Sequence, residues 1–160
     1  MKSGIIVLLA LCMFGPACHN PFTPSIPVSE LLAAETAVDV DLRTYTLEVE
    51  ARRDFMPPEH SLGSDLMANV RVVASGADPF PAFVDSDRVW MVKGEDVWET
   101  EFSAELRPYS QATPNVLGKM VWGGPKWDVG AEVVVVVRLA SGPGVRRLLR
   151  APATTIGKTV

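Results

Sequence analysis

The sequence predicts an all-β domain built as an antiparallel sandwich of about seven short strands, and three observations lead there. Apolar and polar residues alternate with period two in several stretches after position 40. Turns rich in glycine, proline and acidic residues punctuate those stretches. The same region holds no sustained helical period.

Taken in order, residues 44–52 place Tyr45, Leu47, Val49 and Ala51 on one face and Thr44, Thr46, Glu48, Glu50 and Arg52 on the other. Leu66, Ala68, Val70 and Val72 repeat the pattern against Met67, Asn69 and Arg71. Residues 89–92 and 97–102 form a hairpin through Lys93-Gly94-Glu95-Asp96, with Trp98, Thr100 and Phe102 alternating with Glu99 and Glu101. A second hairpin joins residues 132–139 to 145–151 through Ser141-Gly142-Pro143-Gly144, and a short last strand is expected within residues 154–159. This arrangement resembles an immunoglobulin-like sandwich in architecture, without the cysteine pair of antibody domains; a small β-barrel is the alternative.

Residues 133–137 are valines throughout, so Val134 and Val136 face away from Val133, Val135 and Val137. A strand with one wet face would alternate, so this one is expected to be covered on both faces. The candidate covers are the arm at residues 31–38, the tryptophan loop at 122–127, or another molecule; an intramolecular cover is expected, since a bare apolar strand invites aggregation.

Ahead of the domain, Lys2, the apolar run at residues 5–14, and Gly15 and Ala17 at positions −3 and −1 read as an export signal ending before Cys18. The segment resembles a bacterial lipoprotein signal, although Gly15 stands where such signals usually carry leucine. That resemblance implies a lipid on Cys18; simple cleavage after Ala17 and secretion is the alternative. Of the two cysteines, Cys12 lies inside the signal, which leaves Cys18 as a lone thiol that lipidation explains. The expected organisation is a signal peptide at 1–17, a lipidated cysteine with a proline-rich tether or arm at 18–40, and the sandwich at 41–160. The expected location is the bacterial cell envelope, with the membrane reached through Cys18, or the exterior if the lipid is absent.

A formal net charge of −4 gives no reason to expect nucleic-acid binding. The charge is uneven, however. After Glu132 the chain carries Arg138, Arg146, Arg147, Arg150 and Lys158 and no acid. These are either a patch for anionic lipid or polymer, or cross-strand partners of Glu48, Glu50, Glu99 and Glu101; pairing is the expectation.

Catalytic kits are poorly represented. The only histidines are His19 and His60, there is no G-x-S-x-G elbow, and a triad from His60, Ser61 and Asp65 would have to converge from sequence neighbours on one loop. Gly157-Lys158-Thr159 lacks the upstream glycine of a phosphate-binding loop. Asp54, Met56, Glu59 and His60 offer a soft-metal set without a second histidine nearby. Carboxylates abound, but nothing singles out a hydrolytic pair. No enzyme, metal or cofactor is expected.

The unusual constellation is at residues 121–130, where Trp122 and Trp127 bracket Gly123-Gly124-Pro125, with Lys126 and Asp128 beside the second indole. Paired indoles offer flat apolar faces to a sugar ring or a partner's proline; turned inward, they would instead plug one end of the sandwich. The functional expectation is a binding or assembly module for an envelope protein or polysaccharide. Its contacts would come from Trp122, Lys126, Trp127 and Asp128, joined by Phe55 and His60 from the loop at 53–60. The alternative is a secreted module that binds carbohydrate or another small ligand on Trp122 and Trp127.

Overall fold

The computed structural model describes residues 24–56 and 63–159. The elements in chain order are α1 (Val28–Ala33), β1 (Ala37–Val40), β2 (Arg43–Asp54), β3 (Leu66–Ala74), β4 (Val84–Lys93), β5 (Asp96–Thr100), β6 (Ala104–Leu106), β7 (Val116–Gly124), β8 (Glu132–Ser141), β9 (Val145–Arg150), β10 (Thr154–Thr155) and β11 (Gly157–Thr159). One sheet runs β1-β2-β3-β7-β6, with β11 also on β2; the other runs β10-β8-β4-β5, with β9 also on β8. Among the named strands only β11 on β2 is a parallel pairing. The long strands follow the orders β2-β3-β7-β6 and β9-β8-β4-β5, which is the strand order of an immunoglobulin-type sandwich. The two sheets stay separate, so the chain is a sandwich and not a barrel.

Alternation builds the core. Tyr45, Leu47 and Ala51 of β2 and Leu66, Ala68, Val70 and Val72 of β3 meet Val84, Val89 and Met91 of β4 and Val133, Val135 and Val137 of β8. Each fully buried aliphatic side chain contributes roughly 1.5–3 kcal/mol. β7 is a strand that the alternation did not predict. It lies in the middle of its sheet, between β3 and β6, and so takes the first residues of the expected tryptophan loop into a ladder.

The outer face of β8 is covered by the arm. Leu31 of α1 is buried with Trp90, Val92 and Val136, and Ile26, Val28, Ala34 and Val134 pack around them. A register shift between Ser86 and Arg88 interrupts the β4–β8 ladder; beyond it Val89 and Met91 join the inner core, while Trp90 and Val92 lie under the arm. A six-residue helix has no stability of its own. This one starts on the Pro27 carbonyl, which accepts the N–H groups of Glu30 and Leu31 at 3.0 and 3.1 Å. At its far end, Arg150 donates its Nε–H to the Ala34 carbonyl and its backbone N–H to the Glu35 carbonyl. Ser25 donates from both N and Oγ to the Glu99 carboxylate, each at 2.8 Å. Together with the pairing of β1 on β2, these contacts make the chain from Ser25 onward part of the folded unit, which therefore starts well before residue 41.

Leu31→Ala is expected to lower stability by about 2–4 kcal/mol and to red-shift the emission of Trp90, read by urea unfolding and fluorescence. Deleting residues 24–36 should bare Val136 and Trp90 and drive self-association. A truncated chain that stays monomeric and as stable as the parent would remove the covering role from the arm.

Candidate functional site: a tryptophan-lined cleft

At the end of the sandwich where β3 begins and β7 ends, an open cleft of about 700 Å³ lies between the β4–β5 turn and the segment after β7. Trp98 of β5 and Trp127 line it, with Asp65, Glu95, Asp96 and Lys126 at its rim. Both indoles are half-buried and also pack on the core.

Local chemistry fixes each wall. Gly124 lies directly against Trp98: a Cβ there would be 2.5 Å from the ring, so only glycine lets the indole rest on the strand. Gly123, at φ +87°, turns the chain out of β7, and the Trp127 N–H bonds the Pro125 carbonyl at 2.8 Å. Arg53 is the buried support beneath. Its Nε–H donates to the Ser64 carbonyl at 2.9 Å, and Nη1 donates to the Trp127 carbonyl at 3.1 Å. The same guanidinium lies 5.2 Å from the centroid of Phe55. Lys93 stands 5.7 Å from the Trp127 ring and 3.8 Å from Asp96, and Lys126 is 4.0 Å from Asp65. The cleft thus presents flat apolar walls beneath a rim of mixed charge.

The structure separates the residues that the sequence grouped. Trp127 and Lys126 line the cleft, whereas Trp122, 53% exposed, sits outside it, with Val121 on the opposite, core-facing side of β7. Asp128 is exposed beyond the lining. Phe55 is at the same end of the domain, half-buried beneath Arg53 and Lys158, whose Nζ is 5.0 Å from its ring. His60 and Cys18 lie outside the described residues. Among the described residues no group of His, Cys, Asp and Glu is placed to hold a metal. Trp98 and Arg53 were missed. Continuing the inward series Tyr45, Leu47, Val49, Ala51 by one step places Arg53 inside, and that step was the available signal.

The basic tail does not pair as expected. Glu48 meets Arg71, Glu50 meets Arg52, and Glu99 and Glu101 both face Arg88. Arg138 forks onto Asp87 with two bonds of 2.7 Å, and this guanidinium holds the Asp87 carboxyl below its ordinary value. A second network joins the sheets. Lys119, at an inward position of β7 and 6% exposed, reaches Asp85 of β4 at 2.8 Å and Glu105 of β6. Arg107 binds the same two carboxylates at 3.2 and 2.9 Å.

No protein-family model matches the chain, and no curated protein matches it either.

Besides Asp87, two carboxyls add acid sensitivity to this architecture. Burial raises Glu99, but the two bonds from Ser25, the nearby Trp90 indole and Arg88 outweigh it and leave the carboxyl below its ordinary value of 4.5. The Trp90 N–H faces Glu99 across the β4–β5 ladder without completing a hydrogen bond. Glu105 is lowered by Lys119 and then Arg107. A carboxyl depressed by folding adds stability that is complete above its unfolded value and is lost as the pH falls through its folded value. The urea midpoint should therefore drop once the pH falls below 4.5, and Glu99→Gln should flatten part of that drop; an unchanged profile would count against the Ser25–Glu99 contact. Separately, Gly124→Ala should displace Trp98, at about 1–3 kcal/mol, with a shift in tryptophan emission that Gly76→Ala, between β3 and β4, does not produce.

Proposed function

We propose that the chain is a non-enzymatic, lipid-anchored envelope protein that serves as a binding or assembly module, with the Trp98–Trp127 cleft as its seat. The observation that carries the binding part of this reading is the cleft itself, while the anchor rests on the signal-like residues before Cys18. Two indoles are pre-set on a rigid sandwich by Gly124 and Arg53, with charged groups around the opening. An apolar concavity with a few placed polar groups is the ordinary form of a ligand site, and rigid aromatic walls lose little entropy when a partner arrives. Pro24, the first described residue, lines the same cleft. The span from Cys18 to Ser25 is at most about 25 Å, which keeps a ligand in the cleft close to the membrane that holds the lipid.

The second reading, a carbohydrate seat, draws on the same walls. Trp98 takes the place that the sequence gave to Trp122, and Asp65, Asp96 and Lys126 add polar groups of the kind that bind ring hydroxyls.

The anchor is tested by the intact mass and membrane partition of the full-length product in a bacterial host. A mass starting at Cys18 with diacylglycerol and an acyl chain, lost in Cys18→Ala, is the expected result. An unmodified soluble chain removes the anchor and puts the secreted ligand-binding module first. The seat is tested by titrating tryptophan emission with cell-wall oligosaccharides. A response that disappears in Trp127→Ala, with circular dichroism unchanged, supports the sugar version, and a folded Trp127→Ala that responds like the parent sinks it.

A further inference from the structure

The opposite end of the sandwich carries a surface of another kind, about 30 Å away along the ten residues of β8. Three connections meet there. The Ser141 hydroxyl donates to Asp41 of the β1–β2 turn at 2.7 Å, and the Gly142 N–H of the β8–β9 turn reaches the carbonyl of Phe83, just before β4, at 3.4 Å. Each connection puts an apolar side chain into solvent: Leu42 is fully exposed, Phe83 is 58% exposed and Val145 is 46% exposed. Pro143 is exposed beside them.

Leu42 is the informative member. Asp41 and Leu42 have φ of +48° and +67°, the left-handed backbone of a two-residue hairpin turn that favours Asn, Asp and Gly. A leucine here accepts backbone strain and buries nothing in return within its own chain. Folding alone gives no reason for it; an external apolar phase does. Directly after Val145 come Arg146 and Arg147, both exposed and neither in an ion pair among the described residues. Asp87, which feels the charge of Arg146, is already held by Arg138, and Asp41 is occupied by the Ser141 hydroxyl.

We propose that this tip docks on an anionic lipid surface, with Leu42, Phe83 and Val145 entering the interfacial layer and Arg146 and Arg147 meeting headgroup phosphates. Apolar side chains on separate turn tips, flanked by unpaired arginines, match a fluid layer whose outer zone is negative. Arg146 and Arg147 are exposed cations in a chain whose formal net charge is −4. The proposal rests neither on the cleft reading nor on the lipid at Cys18.

The test uses the exported Cys18→Ala chain, which has no lipid, sedimented with vesicles of phosphatidylcholine alone or mixed with phosphatidylglycerol. Binding is expected only with the anionic vesicles, weakening with salt, and Arg146→Glu with Arg147→Glu should lower it by at least about tenfold. Leu42→Asn separates function from folding. Asparagine suits the left-handed backbone, so thermal stability should rise while vesicle binding falls several-fold. Equal binding to both vesicle types, or variants that bind like the parent, would overturn the proposal. Capture by a soluble anionic polymer without vesicle binding would also overturn it, by assigning the arginines to a different partner.

Discussion

The strand that the rest of the molecule accommodates is β8, because it is apolar on both faces. Its inner valines are satisfied by the facing sheet. Its outer pair, with Trp90 and Val92 beside it on β4, forms a second apolar surface that a sandwich of two layers leaves wet. The arm supplies a third layer over this sheet alone. The dependence is mutual: α1 is too short to exist without Val136 and Trp90 beneath it, and the strand is unsafe in water without Leu31 above. Polar contacts then fix the arm in place, since Ser25 must meet Glu99 and Arg150 must reach the carbonyls at 34 and 35. The packing demand of one strand thus decides where the chain enters the domain.

A different constraint works at the flank where β6 joins β7. Lys119 occupies an inward position that alternation reserves for an apolar residue, and it is buried there against Phe102, 5.7 Å from the ring. A buried cation is tolerable only with its charge answered, and Asp85 and Glu105 answer it from opposite sheets. Such a network adds little net stability compared with a greasy seam, because each ion gives up water to join it. Its strength is geometric. With Arg107 completing the set and binding the carbonyls of Pro81 and Val84, it allows one placement of β6 relative to β4.

The same two features explain what the sequence could and could not show. The alternation at residues 44–52 and 66–72 and both hairpins were legible because their faces are chemically distinct, and the valine run announced the need for a cover. β7 was not legible because its exceptions have tertiary causes. Gly118 is there because Tyr109 lies against the strand, where a Cβ would be 2.5 Å from the ring, and Lys119 is inside because of carboxylates that arrive from other strands. Missing β7 then misassigned the site: within a strand Trp122 lies opposite Val121 and points away from the core, while the turn that follows carries Trp127 into the cleft. Trp98 reads from sequence as one strand residue among several. Only the bare backbone of Gly124 beside it makes it a wall.

The two ends of the domain are chemically unlike, and the arm couples that polarity to orientation. The chain enters beside the cleft, whose rim mixes Asp65, Glu95 and Asp96 with Lys126, while Arg146 and Arg147 stand at the far tip with the exposed turn side chains. With a lipid on Cys18, the spacer to Ser25 reaches about 25 Å at most, against a sandwich about 30 Å long. An upright domain with its cleft end down would carry Arg146, Arg147 and the exposed turn side chains away from the headgroups, which is the less favourable arrangement on an anionic surface. Tilted far enough to bring Ser25 within the spacer's reach, it would set the tip with Leu42, Phe83, Val145 and the arginines on the lipid.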